Sequence, residues 1–195
     1  IFNWEYAEAR ARELVAYIET HFSDENVSFI DLKGIVNEEV LYSECDLETV
    51  ETHLRREKAD AIFVINSNFG NEEVVTMLAK NMNLPVLLWA PLDDVFEPDG
   101  LRHTDSQCGV FAIGKQMLRY GVTFSYIITC RGIEEEFAKG LRQFISVTCM
   151  VKNFRGMRIA QVGMRPKPFC SVIFNEGELM QRFGMHIIPV NMAVV

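Results

Sequence analysis

The chain has 195 residues, a net charge of −8 and a hydrophobic fraction of 49%, a mix that supports a packed core and excludes an intrinsically disordered chain. The acidic balance argues against nucleic acid as a partner, because such a protein needs a concentrated basic surface to displace counterions from phosphate. The densest basic cluster, Arg155, Arg158, Arg165 and Lys167, is spread over a strand and its loop. No apolar run reaches the length of a membrane span and the N-terminus has no leader pattern, so no membrane is expected as a partner. The five cysteines are odd in number, widely spaced and without a C-x-x-C pair, which suits a reducing, cytoplasmic interior.

In chain order the periodicity predicts alternating helices and strands. Trp4, Ala7, Ala11, Leu14, Val15, Ile18 and Phe22 share one face of a helix over about 4–22, with Asn3 as its N-cap. Residues 27–32 read as a strand. Asp46 is placed to cap a helix that buries Leu47, Val50 and Leu54. Residues 59–67 form a continuous apolar run of strand length, as a parallel sheet covered on both faces requires. Asn71 caps the next helix, whose inner face is Val74, Val75, Leu78 and Met82, and 84–90 is the next buried strand. After a loop punctuated by Pro and Gly, a helix runs to Gly121 and 123–129 is a strand. The longest helix covers 133–151, with Ile133, Phe137, Leu141 and Phe144 on one side. Residues 157–163 are a strand. Asn175 and Glu178 resemble a capping box opening a short helix that ends at Gly184, and 185–190 is a final strand.

This alternation predicts an α/β fold: a doubly wound parallel sheet with helices on both faces, Rossmann-like αβα. It divides into an N-terminal αβα domain over 1–153 and the first βαβ unit of a second, incomplete domain over 154–195. Residue 1 is Ile, helical patterning begins by residue 4 and a strand-like run closes the sequence, so both ends read as cut.

Ligands of open α/β sheets bind outside the carboxyl ends of the strands, which directs attention to 67–70, 89–91, 103–109, 129–132 and 164–171. No G-x-G-x-x-G, P-loop or G-x-S-x-G motif is present, and no histidine pairing or carboxylate–histidine set has metal-ligand spacing. No catalytic residue and no metal ligand is therefore assigned. Trp89 ends a buried strand, where it either packs in the core or offers a face for stacking on a sugar. His103 is either a polar loop residue or a hydrogen-bonding contact to a polyhydroxylated ligand. Ser106 and Gln107 surround a helix start, with Ser106 a good cap. Cys108 is near the same helix N-terminus, which can lower a thiol pKa, yet it lacks a base partner. Asp93 and Asp94 read as loop carboxylates pointing in different directions. Met164, Arg165, Lys167 and Phe169 sit on a loop stiffened by Pro166 and Pro168, which is either a surface turn or a contact for an anionic or polyol ligand or a subunit.

Two blocks carry a family resemblance. LPVLLWAPLDD … GLRHTDSQCGVFAIGKQMLRYGVTFSYI and GMRIAQVGMRPKPFCSVIFNEGELMQRFGMHIIPVNMA, together spanning most of 84–192, resemble the N-terminal region of L-fucose/L-arabinose isomerase-like proteins. The first has a strand ending in Trp, a Ser-x-Cys-Gly element and a helix ending in Arg-x-Gly. The second has a strand ending in Gly, a loop with Pro and Phe, and an Arg-Phe-Gly before the next strand. The resemblance implies aldose–ketose interconversion through an enediol, with a divalent metal, typically Mn2+, holding the sugar oxygens. It implies that the metal ligands and catalytic carboxylates lie in polypeptide after this chain, which would hold no cofactor and be inactive alone. It further implies a homo-oligomer, with a hexamer as one form, in which this domain helps close the sugar pocket. Trp89, His103, Ser106, Gln107, Met164, Arg165 and Phe169 are the pocket-lining candidates by that match. The competing expectation is a cytoplasmic sugar-binding or oligomerisation module without catalysis.

Overall fold

A computed structural model describes residues 3–24, 26–93 and 95–193. They divide into two compact units, Ile1–Ile145 and Ser146–Val195.

The first unit opens on helix α1 (Trp4–Phe22), started by the Asn3 side chain accepting from the Tyr6 amide at 2.9 Å. Helix α2 (Leu47–Arg56) follows a short 3-10 turn, and here the expected cap is corrected. Ser43 Oγ accepts from the Cys45 amide at 3.2 Å one turn earlier, and Asp46 makes no side-chain capping bond. Strand β1 (Ile62–Ile65) leads to helix α3 (Glu72–Met82), where Asn71 Oδ1 accepts from the Glu73 and Val74 amides. Strand β2 (Val86–Trp89), helix α4 (Ser106–Arg119), the two-residue strand β3 (Ser125–Tyr126) and helix α5 (Glu135–Phe154) complete the series, α5 continuing across the division.

The sheet order is β1-β2-β3 and both pairings are parallel, in the registers Ile62↔Val86 to Ile65↔Trp89 and Leu87↔Ser125. Strand alternation then sorts side chains onto two faces. Ile62, Val86 and Leu88 join Val50, Leu54, Leu78, Ile113 and Met117, a core built against α2, α3 and α4. Phe63, Leu87 and Trp89 join Ile18, Phe137, Leu141 and Phe144, a core built against α1 and α5. The sheet is thus covered on both faces, which is why β2 is apolar at every position and buried throughout.

Two expectations fail here. Residues 27–32 form no strand: Phe29 packs on one core while Ile30 and Leu32 pack on the other, so the segment has strand-like sidedness without a ladder. Ile133 lies before α5 and is 76% exposed, so the buried face of that helix starts at Phe137.

In the second unit, strands β4 (Arg158–Val162) and β5 (His186–Val190) pair in parallel from Arg158↔His186 to Val162↔Val190, with helix α6 (Glu176–Phe183) between them in sequence. Asn175 Oδ1 accepts from the Glu178 amide at 3.0 Å, while the Glu178 carboxylate turns to Arg182 at 2.9 Å, so the predicted capping box is one-sided. Gly184 ends α6 at φ 67°, a left-handed position that glycine takes without a Cβ clash. The chain is α/β, with six α-helices among the described residues and parallel sheets. Among the described residues no helix is long and apolar enough to cross a membrane.

Candidate functional site

Beyond the carboxyl ends of β1 and β2 the chain turns polar, and the polar groups converge. Asn66, 6% exposed, donates through Nδ2 to Asn68 O at 2.7 Å and to Ser106 O at 3.0 Å. This ties the loop after β1 to the start of α4. Gly109 makes that approach possible: a Cβ there would lie 2.1 Å from Phe69 O and 2.4 Å from Asn66 Nδ2.

From the loop after β2, Asp93 reaches the same helix start. Its Oδ2 accepts from the Gln107 amide at 3.1 Å and its Oδ1 accepts from the Thr104 hydroxyl at 2.6 Å. Arg10 of α1 closes the group. Its Nη1 lies 3.3 Å from Asp93 Oδ1 and donates to Thr104 Oγ1 at 3.0 Å, and its Nη2 donates to Leu92 O. The Asp93 side chain is 4% exposed and that of Arg10 15%. Burial alone would raise the Asp93 pKa. The Thr104 hydroxyl, the Gln107 amide and the Arg10 charge together hold it below the ordinary carboxylate range. Asp93 therefore supplies the negative charge that a helix N-terminus favours.

His103 closes a small hairpin over 95–103, in which Phe96 bridges Arg102 in antiparallel fashion and the His103 amide donates to Val95 O at 3.2 Å. Its Nε2 pairs with Glu97 Oε1 at 2.9 Å, its ring meets Tyr6 edge to face at 4.6 Å, and its carbonyl accepts from the Asn3 amide at 2.9 Å. The first turns of α1 thus fasten the loop that carries His103.

The structure brings His103, Ser106 and Gln107 to one end of the sheet but places Trp89 differently. The Trp89 indole is fully enclosed, 4.4 Å from the Phe137 ring centroid and packed near Phe63, so it presents no face for stacking. Ser106 is the first residue of α4, not its cap; Asp105 holds the cap position and the capping carboxylate is that of Asp93. Cys108 is a correction to the lowered thiol expected beside a helix start. The Asp105 carboxylate hydrogen-bonded to it raises its pKa, with desolvation adding to the shift against the opposing charge of Arg102. Met164, Arg165 and Phe169 belong to the second unit, on the loop after β4, where Met164 is 94% exposed. The Arg165 guanidinium donates to Lys167 O at 2.9 Å and Pro166 O at 3.3 Å.

Arg10, Asn66 and Asp93 had no place among the sequence candidates, and Thr104 lay within the 103–109 segment without being singled out. Arg10 was findable: it falls three residues after Ala7 and four before Leu14, a charge at the spacing of an apolar face. Asp94, read with Asp93 as a carboxylate pair, lies outside the described residues. Among the described residues no three His, Cys, Asp or Glu side chains form a group that could hold a metal ion. These residues do not fit an Mn2+ site, and no metal step is assigned to them.

A parallel α/β domain with a fastened polar face at the carboxyl ends of its strands is the class these features define. Within it, the model of the fucose/sulfoquinovose isomerase N-terminal domain family matches residues 1–155, and the chain belongs to that family. No curated protein was found to match the chain.

Proposed function

We propose that this chain is the N-terminal portion of an aldose–ketose isomerase and that it shapes the sugar pocket rather than performing proton transfer. The observation that carries the reading is the family match over 1–155. The commitment of the strand-end carboxylates supports it: Asp93 is held by Thr104, Gln107 and Arg10, Asp105 by Arg102 at 3.1 Å, and Glu97 by His103. Carboxylates so engaged orient loops; they are not free to move a proton at a sugar carbon. On this reading His103 and Gln107 of the first unit, and independently Met164, Arg165 and Phe169 of the second, are the sugar-contact candidates, while Ser106, 0% exposed, packs inside the helix start. The proton-transferring carboxylates and an Mn2+ ion that stabilises enediolate charge are supplied by polypeptide outside these residues, in a homo-oligomer. Cys45, Cys108, Cys149 and Cys170 are exposed free thiols, which fits a reducing cytoplasmic setting.

The test is deuterium exchange at C2 of candidate aldoses, followed by proton NMR with Mn2+ present. The gene product expressed from its own reading frame is expected to exchange that proton and form ketose, while the 195-residue chain alone does neither. Turnover by the chain alone would overturn the placement of the catalytic groups. Sugar binding without turnover by the gene product would establish a binding module instead.

A further inference from the structure

Large apolar side chains left in water mark contact surfaces where they gather. Among the described residues of the first unit, the most exposed of them, from 57% upward, fall in two places. Phe96 and Leu101 stand on the 95–103 hairpin, and Phe111, Leu118, Tyr126, Ile128 and Ile133 stand on α4, β3 and the loop after β3. Leu88 pairs in register with Tyr126, so Phe124, Tyr126 and Ile128 share the face of the sheet that α4 covers, while Ile127 turns to the other core. On α4, a Cβ at Gly114 would lie 3.3 Å from the Phe124 ring. Phe111 and Leu118 flank Gly114 on the side away from Met117, which is in the core. These four side chains therefore overhang the β3 edge of the sheet. Among the described residues that edge pairs with no further strand, and 123–129 has none of the charged or proline residues that guard an open edge.

The two surfaces carry opposite charge. No Asp or Glu occurs between Asp105 and Glu134, and Lys115 and Arg119 are exposed beside Phe111 and Leu118. No Lys or Arg occurs between Lys80 and Arg102, and the hairpin tip sets Glu97 and Asp99 beside Phe96 and Leu101. Arg102, at the base of the hairpin, is turned to Asp105. An apolar, basic face and an apolar, acidic tip on one chain are complementary. The tip is organised in advance: Asp99 Oδ1 accepts from the Leu101 amide at 3.0 Å and the Gly100 amide donates to Glu97 O at 2.9 Å. It does not reach its own α4 face, because Asn3 and Tyr6 fasten the hairpin to α1, which covers the opposite face of the sheet. Two α4 faces brought together about a two-fold axis would oppose cations to cations, whereas tip on face pairs unlike charges.

We propose that the 95–103 hairpin of one copy of this chain docks on the α4–β3 face of the next, head to tail. A contact of this kind uses two different surfaces of each copy and closes as a ring. It rests on the homo-oligomer of the reading above and gives that oligomer a surface; it is independent of the sugar.

Sedimentation velocity on the gene product tests this. Leu118→Glu damages the face and Leu101→Glu the tip; both side chains are exposed, so the circular dichroism of each variant should match the wild type. Each is expected to weaken assembly at least about tenfold, as a lost apolar anchor with a like charge in its place implies. Lys115→Glu, a charge change at an exposed helix position, is expected to weaken assembly in the same direction and keeps the test sound if a leucine variant loosens the fold. The decisive arm is the mixture. The Leu101 variant keeps its face and the Leu118 variant keeps its tip, so equal amounts together are expected to regain one contact and form a species larger than either gives alone. Wild-type assembly in all three variants overturns the proposal and leaves the homo-oligomer standing, as does an effect of one leucine variant without the other. Weakened assembly that mixing does not restore overturns the head-to-tail pairing. A monomeric wild type overturns the homo-oligomer, and this proposal with it.

Discussion

Asp93 is a carboxylate that keeps its charge in a place where burial works against it. Its ionised form is held by two hydrogen-bond donors and a guanidinium, so removing the charge strands Arg10 in a largely buried site. Breaking one partner of such a pair costs about 3 kcal/mol. Asp93→Asn is accordingly expected to lower stability in urea unfolding by about that amount at pH 7. The pH dependence has a definite sign. Because the folded pKa is depressed, the contribution is complete above the unfolded carboxylate's value of about 3.9 and is lost as pH falls through the lower folded one. The gap between wild type and Asp93→Asn should therefore close on acidification below about pH 4. A gap that stayed constant from pH 7 to pH 2 would assign it to packing instead. Sequence reading passed over Asp93 because a loop carboxylate shows no periodicity, and its partners, Arg10 and Thr104, are 83 and 11 residues away.

At the scale of elements, α4 and the loop after β1 meet because Gly109 has no side chain. Gly109→Ala places a methyl group against the Phe69 carbonyl, which is backbone and cannot swing aside. The expected cost is about 2 kcal/mol in the same unfolding assay, with weakened hydrogen-exchange protection at the Ser106 end of α4. Wild-type stability in this variant would mean that the helix and loop part without consequence. The elements themselves were largely readable. Both ends of α1, the Asn71 and Asn175 caps and the apolar runs of β1 and β2 follow from local patterns, because capping and amphipathicity are short-range properties. What local patterns do not carry is partnership. The alternation of 27–32 reports which faces its side chains seek, not whether a neighbouring strand bonds it. Ser106 has the chemistry of a cap, yet the capping group arrives from Asp93 in a different loop. The strand-end site was legible as a location through the parallel-sheet rule, while the choice of residues at it was not, since Trp89 turned inward and Arg10 came from α1.

For the molecule as a whole, the division into two units has an energetic side. The first unit holds both cores described above, whereas between 157 and 193 the buried apolar residues are Met185 and Ile187. Burial at roughly 25 cal/mol per Å2 is the main favourable term in folding, so the second unit is expected to lose its structure at lower denaturant. Both tryptophans of this chain, Trp4 and Trp89, lie before residue 146, and they sit in opposite surroundings: Trp89 is sealed in the core, while Trp4 is 37% exposed beside Tyr42. The emission spectrum is consequently a two-colour reporter of the first unit. A blue component follows the core, and a red component, quenched by iodide, follows the start of α1. The second unit is dark at these wavelengths. Circular dichroism should begin to change before the emission does, and coincident curves would mean that the chain melts as one body.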